Sequence, residues 1–284
     1  MGDPRLVLHV LPQPRRDLLE LAGILPLANC SSSCPQWNLH PIPAAYVPHL
    51  FGRTITDNTP VDYIYTAIYK QNQTGTPTLN PLFFNYPNDP NTYPIDMQFF
   101  YGDGILVSPV TEENSTSLTL YLPDDIFYEW GTGKPVRGKG EYISIDGIDY
   151  TDITVHYKGG IIYPQRIESA NTTTALRKKG FNVVVAPGLD GNAEGSLYLD
   201  DGESYEQDAV SEIDFRYSHG KLSMSGSFEY DAGVGIETVT VLGADKRPES
   251  VEGAEGVDYD EENKKLVLHV DVPLNGEWEV TIDC

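Results

Sequence analysis

From residue 104 to the C-terminus, apolar runs of strand length alternate with turn signals. The runs include Ile105-Leu106-Val107, Leu118-Thr119-Leu120-Tyr121, Phe127-Tyr128-Glu129-Trp130, Ile153-Thr154-Val155-His156-Tyr157 and Ile161-Ile162-Tyr163. Residues 181–186 (FNVVVA), 196–199, 213–217, 221–228, 238–242, 266–272 and 278–282 continue the series. Gly, Pro, Asn and Asp separate them roughly every 8–12 residues, a rhythm that suits β-sandwiches and leaves no room for long helices. The expectation is a mainly β chain with two consecutive β-sandwich domains, 104–172 and 173–284. Gly159-Gly160 reads as a tight hairpin turn between the last two runs of the first sandwich. The acidic stretch 243–262 reads as solvated loops.

Upstream the pattern changes. Residues 62–71 predict a helix, with Tyr63, Ile64, Ala67 and Ile68 on one face. Gly75-Thr76-Pro77 ends it, and residues 78–84 predict a strand. Residues 85–93 carry the Asn, Asp and Pro that turns favour. The run QFFYGDGILVSPV (98–110) joins the two regimes: its aromatics close on Gly102-Asp103-Gly104, where the backbone turns sharply, and Ser108-Pro109 stops the following strand. Residues 1–61 form an unassigned Pro-rich segment. Nine of the 21 prolines fall there, and that density interrupts helices and strands alike. Only residues 15–25 suit a short amphipathic helix, and His40 and His49, amid Pro41, Pro43 and Pro48, read as ordinary loop histidines.

The formal net charge of −23 lies entirely in residues 61–284, because the first 60 residues carry four basic and four acidic side chains. Such a surface argues against nucleic acid, whose binding depends on phosphate neutralisation. No apolar run approaches the roughly 20 residues of a membrane helix. Residues 1–20 lack the continuous apolar core of a signal peptide. Cys30, Cys34 and Cys284 make no disulfide framework, and the Cys30-x3-Cys34 spacing lacks the second ligand pair of a zinc site. Asn29, Asn72, Asn114 and Asn171 head Asn-x-Ser/Thr sequons; Asn72, Asn114 and Asn171 are the candidate glycan sites. Asp200-Asp201-Gly202-Glu203 lacks the spaced ligands of a calcium loop and reads as a hairpin turn.

Several motifs, in order, resemble fungal glycoside hydrolases of family 31, the α-glucosidase family. Tyr63-Ile64-Tyr65-Thr66-Ala67, Gly75-Thr76-Pro77 and Pro81-Leu82-Phe83-Phe84 are similar to the family's last barrel helix and strand. QFFYGDGILVSPV is similar to its barrel-to-β junction, and Gly159-Gly160-Ile161-Ile162-Tyr163-Pro164 to its first β-domain. Residues 186–204, with Leu199-Asp200-Asp201-Gly202-Glu203, are similar to its second. The resemblance implies that residues 62–103 are the last helix and strand of a (β/α)8 barrel. It begins at Asp62, so residues 1–61 are expected to lie outside the family fold, as a misjoined gene model would leave them.

The resemblance also implies a function for the intact relative: retaining hydrolysis of terminal α-linked glucose, with no cofactor, in a secretory setting. Such chemistry needs two carboxyls roughly 5 Å apart. The family's nucleophile lies in a Trp-hydrophobic-Asp-Met-Asn-Glu string and its acid/base in a Gly-Asp-Asn context; neither string occurs. Asp96 in Ile95-Asp96-Met97 is followed by Gln98 and Phe99 where Asn and Glu belong, and Asp103 belongs to the junction. No catalytic residue is therefore assigned. Asn80 stands where many members carry Arg. The partners expected are an α-glucoside or oligosaccharide in the intact relative, and a separately made catalytic barrel chain. A rival reading is a carbohydrate-binding module using Trp130 and Trp278, although large aromatics more often anchor cores. Residues 104–284 are expected to fold on their own, and residues 62–103 to need an outside partner.

Overall fold

The computed structural model describes residues 60–149 and 152–283. The short helix expected at 15–25, His40, His49, the three cysteines and the Asn29 sequon lie outside the described residues.

Helix α1 (Val61–Thr74) ends at Gly75, whose φ of 77° permits the left-handed cap and whose N–H reaches Gln71 O at 2.8 Å. A short strand, β1 (Leu79–Pro81), then gives way to a helical turn, α2 (Leu82–Asn85), and to a 3-10 turn at Pro90–Thr92. Strands β2 (Phe99–Tyr101) and β3 (Ile105–Ser108) follow. Next come β4 (Ser117–Leu122), β5 (Ile126–Glu129), β6 (Pro135–Arg137), β7 (Glu141–Asp146) and β8 (Thr154–Lys158). The order β1-β2-β3-β8-β5-β6 makes a six-stranded sheet, and β4 pairs with β7 across from it. Leu120 and Leu122 of β4 meet Phe100, Leu106 and Phe127 of the sheet in the first core. Gln98 ties the two layers together. Its amide donates to Ser108 Oγ (2.9 Å) and Tyr121 O (3.1 Å) and accepts from Tyr121 N (2.7 Å), so a buried polar side chain is fully satisfied.

The remaining strands are β9 (Ile161–Arg166), β10 (Phe181–Ala186), β11 (Ala193–Leu199), β12 (Ser211–Ser218), β13 (Lys221–Phe228) and β14 (Gly235–Leu242). They are completed by β15 (Ser250–Glu252), β16 (Gly256–Asp260), β17 (Lys265–Pro273) and β18 (Trp278–Asp283), with a helical turn, α3 (Thr173–Leu176), between β9 and β10. They form one ten-stranded sheet, β15-β18-β13-β12-β11-β9-β10-β14-β17-β16. Leu197, Ile213 and Leu222 from one half share a single core with Val183, Val239 and Leu268 from the other, so the sheet folds over as a sandwich.

The uninterrupted run of β10 has a clear cause. Val183 and Val185 point into the distal core, while Val184 and Ala186 pack with Tyr101, Ile105, Val155 and Tyr157 of the six-stranded sheet. A strand buried on both faces has no polar position to alternate with. The two β layers therefore share a third core between them.

Three expectations are corrected. The run Ile161-Ile162-Tyr163, expected in the first sandwich, is β9, which pairs with β10 and β11 in the distal sheet. Gly159-Gly160 accordingly makes a sheet-to-sheet crossover, not a hairpin. Residues 78–84 are not one strand: Pro81 ends β1 and α2 begins at Leu82. Nor does β1 lack partners within this chain. It pairs antiparallel with β2, Asn80 opposite Phe100, and Leu82 and Phe100 are wholly buried.

Helix α1 is held from two sides, and its most buried residues are polar: Asp62 and Thr66, not the predicted Tyr63-Ile64-Ala67-Ile68 face. Asp62, Tyr65, Thr66 and Tyr69 recur at about one-turn spacing and all meet the distal sandwich. Asp62 pairs with Arg166 (Nη2–Oδ1 2.7 Å, Nε–Oδ2 2.8 Å). Tyr65 donates to Asp200 Oδ2 (2.7 Å), Thr66 Oγ1 accepts from Tyr198 N (3.0 Å), and Tyr69 donates to Glu212 Oε1 (2.8 Å) while stacking on Tyr198. On the other side, Tyr63 OH donates to Tyr101 O (3.2 Å) and accepts from Gly104 N (3.0 Å). Gly102 has room for this phenol only because it lacks a side chain: a Cβ there would lie 2.5 Å from Tyr63 OH.

Candidate functional site

The left-handed cap at Gly75 sends the chain through Thr76-Pro77 into β1, and Pro81 then diverts it into α2. The fold leaves a cleft of about 440 Å3 at this corner, lined by Thr76, Asn80, Phe83, Phe84, Asn85, Pro87 and Asp103. Phe83 and Phe84 form its aromatic wall, edge to face at 5.2 Å, and Phe83 also meets Tyr93 edge to face at 6.2 Å. Phe84, Tyr93 and Met97 stand about half exposed, at 52%, 56% and 47%.

The polar side of the cleft is uneven. Asn80 is 2% exposed. Its Nδ2 donates to Gly102 O (3.1 Å), while its Oδ1, also buried, has no partner. Asn85 Nδ2 donates to Asp103 O (3.0 Å), which fixes the β2–β3 turn against α2. The Asp103 carboxylate itself is exposed. What the cleft leaves unused is therefore acceptor capacity. An unpaired buried acceptor costs roughly 1–3 kcal/mol, so Asn80 marks a place that a hydrogen-bond donor would stabilise.

Among the residues lining the cleft, Asp103 is the single carboxylate. Asp96 is exposed and stands outside that lining. The structure thus does not bring Asp96 and Asp103 together in the cleft. Asp200, Asp201 and Glu203 are engaged differently. Asp200 accepts from Tyr65, and Arg177 binds its main-chain oxygen. Asp201 accepts from the N–H groups of Glu203 and Ser204 (both 2.9 Å), and these bonds, with the Ser204 hydroxyl foremost, hold its carboxyl below the usual range. The burial of Tyr198, reinforced by Asp200, pushes its phenol up to about 12. Trp130 stacks on Tyr157 at 4.5 Å and Trp278 packs against the distal core, so neither offers a free face to a sugar. The aromatic wall made by Phe83 and Phe84 was not read as a site from sequence; the departure at Asn80 was the signal that pointed to this corner.

Asn72 on the last turn of α1, Asn114 between β3 and β4, and Asn171 just before α3 are all exposed. Expressed through a secretory pathway, the chain is expected to carry glycans at these three sites. Intact-mass analysis before and after glycosidase treatment checks this; an unchanged mass would remove all three.

The description "Glycosyl hydrolase family 31 C-terminal domain" matches residues 75–163. A protein of Arthroderma benhamiae named "Probable alpha/beta-glucosidase" is 49% identical over 228 residues, covering 78% of this chain and 26% of that protein. The chain belongs to glycoside hydrolase family 31. It carries the family's C-terminal region, and it spans about a quarter of the length of that relative. The fold agrees. A crystal structure of the glucosidase II alpha subunit in its alpha3-Glc2-bound form is 25% identical with a TM-score of 0.70, over 78% of this chain and 27% of that one. The ER glucosidase II heterodimer, its catalytic subunit with the binding domain of the regulatory subunit, shares the fold at 24% identity and TM-score 0.71, over 89% of this chain and 30% of that one. The family match begins at the cleft corner and runs to Tyr163 of β9, so it includes every cleft residue.

Proposed function

We propose that this family 31 chain is a non-catalytic C-terminal part of a fungal-type α-glucosidase. The intact enzyme releases terminal α-linked glucose with retention, needs no cofactor, and works in the secretory pathway. The observation that carries the reading is the pairing of a strong family match with a cleft that holds one carboxylate. Double displacement at the anomeric carbon takes a nucleophile and an acid/base roughly 5 Å apart. Asp103 has no such companion among the cleft residues. The catalytic pair must therefore come from polypeptide other than residues 62–284. This region supports that polypeptide as a rigid base, because α1 and β1 are bonded into both β layers. The half-exposed Phe84, Tyr93 and Met97 supply an apolar surface on which such polypeptide packs.

The purified chain, made in a host without α-glucosidase, is expected to release no glucose from maltose above a buffer blank. Release that disappears in an Asp96→Asn or Asp103→Asn variant would overturn the reading.

A further inference from the structure

We infer that the cleft between β1, α2 and the β2–β3 turn is a binding site for a single neutral hexopyranose. The inference deepens the reading above and rests on it for the choice of an α-glucoside as the probe.

The chemistry of the lining selects the ligand class. Phe83, Phe84 and Pro87 give an apolar wall suited to the C–H face of a saturated ring. Opposite in character are two acceptors with unused capacity: the orphaned Oδ1 of Asn80 and the exposed carboxylate of Asp103. A ligand that satisfies both must donate hydrogen bonds in several directions while offering an apolar face, which is what a pyranose with equatorial hydroxyls does. Anions are excluded, because Asp103 lines the cleft and the chain carries a formal charge of −23. A volume of about 440 Å3 accommodates one sugar ring, with space left over. The donor that Asn80 lacks within the protein is supplied by the ligand hydroxyl, so binding removes the cost of the orphaned acceptor.

The site is built rather than incidental. Asn80 cannot turn its amide over, because Nδ2 is held by Gly102 O, and the Asn85–Asp103 hydrogen bond fixes the opposite wall. Both contacts run from the β1–α2 corner to the β2–β3 turn, so the cleft is preorganised by the same pairing that makes the sheet edge.

The test is titration of the full 284-residue chain with methyl α-D-glucopyranoside, followed by ligand-observed NMR and calorimetry. Glycerol serves as a polyol without a ring face and Tris as a donor-rich cation. Saturable millimolar binding of the glucoside is expected, with glycerol silent. Phe84→Ala, at an exposed position, should weaken it about tenfold through the lost ring face. Asn80→Leu should weaken it by about the same factor through the lost acceptor. A thermal melt of each variant separates lost binding from lost folding, and Phe84→Ala alone suffices if Asn80→Leu fails to fold. Absence of saturation, binding of Tris in preference to the glucoside, or equal affinity in Phe84→Ala would overturn the assignment. Free glucose measured in the same tube keeps the two readings apart: its release breaks the claim of inactivity, whereas silence in both measurements breaks only this one.

Discussion

Replacing Arg166 by Ala is expected to cost the chain about 3–5 kcal/mol of stability, the range for removing one partner of a buried ion pair. The side chain is 2% exposed and almost every donor it owns is engaged. Nε and Nη2 grip the two oxygens of Asp62 side by side. Nη1 donates to the carbonyls of Arg177 (3.2 Å) and Lys179 (2.6 Å), and the guanidinium lies 3.9 Å from the centre of the Phe181 ring. Truncation leaves the Asp62 carboxylate buried without its partner and uncaps two carbonyls. Lys cannot repair this, since one ammonium does not reproduce a planar fork. The complementary change, Asp62→Leu, should be comparably costly because it strands the buried guanidinium. The double variant Asp62→Leu/Arg166→Met should recover much of the loss, as paired apolar replacements of buried ions do. Urea unfolding of the full chain gives the three values. Amide exchange locates them, with protection falling first along α1 while β10 and β14 keep theirs. A loss below about 1 kcal/mol for Arg166→Ala would show that the pair is exchanged for water at no cost.

The placement of α1 shows where sequence reading stops. Its existence was legible from residue periodicity and from the Gly75 stop. Its buried face was not, because an Asp in a first helical turn reads as a charge beside the helix dipole, facing water. Asp62 and Arg166 are separated by 104 positions, and nothing local marks them as partners. The strands of the β region were legible for the opposite reason: alternation and turn chemistry are local. Sheet membership is not local. The apolar pattern of Ile161-Ile162-Tyr163 suits either sandwich, and Gly159-Gly160 serves a crossover as well as a hairpin, so β9 was read into the wrong one. The absence of a paired-carboxylate motif was legible at once. The orphaned oxygen of Asn80 was not, because a residue's hydrogen-bond deficit depends on burial that only the fold creates.

His156 also went unread, although a lone imidazole between Val155 and Tyr157 in an apolar strand was there to notice. Acid should destabilise the chain through it by about 3 kcal/mol between neutral pH and pH 4. The residue is 2% exposed on β8. Val155 and Tyr157 face the core shared by the two β layers, so alternation turns His156 the other way, opposite Leu106 and Glu129 in register. Burial lowers its pKa from 6.5 to about 4, outweighing the opposing pull of the Glu129 carboxylate, and its Nδ1 has no partner. The sign follows from proton counting. Between pH 6.5 and about 4 the unfolded chain binds a proton at this histidine and the folded chain does not, so stability rises with pH across that window and is flat above it. Asp190, Asp201 and Asp260 have carboxyls held below their ordinary value by local hydrogen bonds, so their contribution is lost only at still lower pH. As pH falls, the chain's excess of negative charge shrinks and general repulsion relaxes, which acts in the opposite direction. Comparison with a variant removes that background. His156→Gln keeps a polar side chain of similar reach without a titrating ring, and the difference in unfolding free energy between wild type and variant should itself vary with pH. Measured in urea at about pH 7.5 and about pH 5, the wild type should lose roughly 2 kcal/mol relative to the variant on acidification. Parallel pH profiles for the two proteins would mean that the folded chain accepts the proton at His156 without penalty, and that the site opens to water or turns the ring toward Glu129.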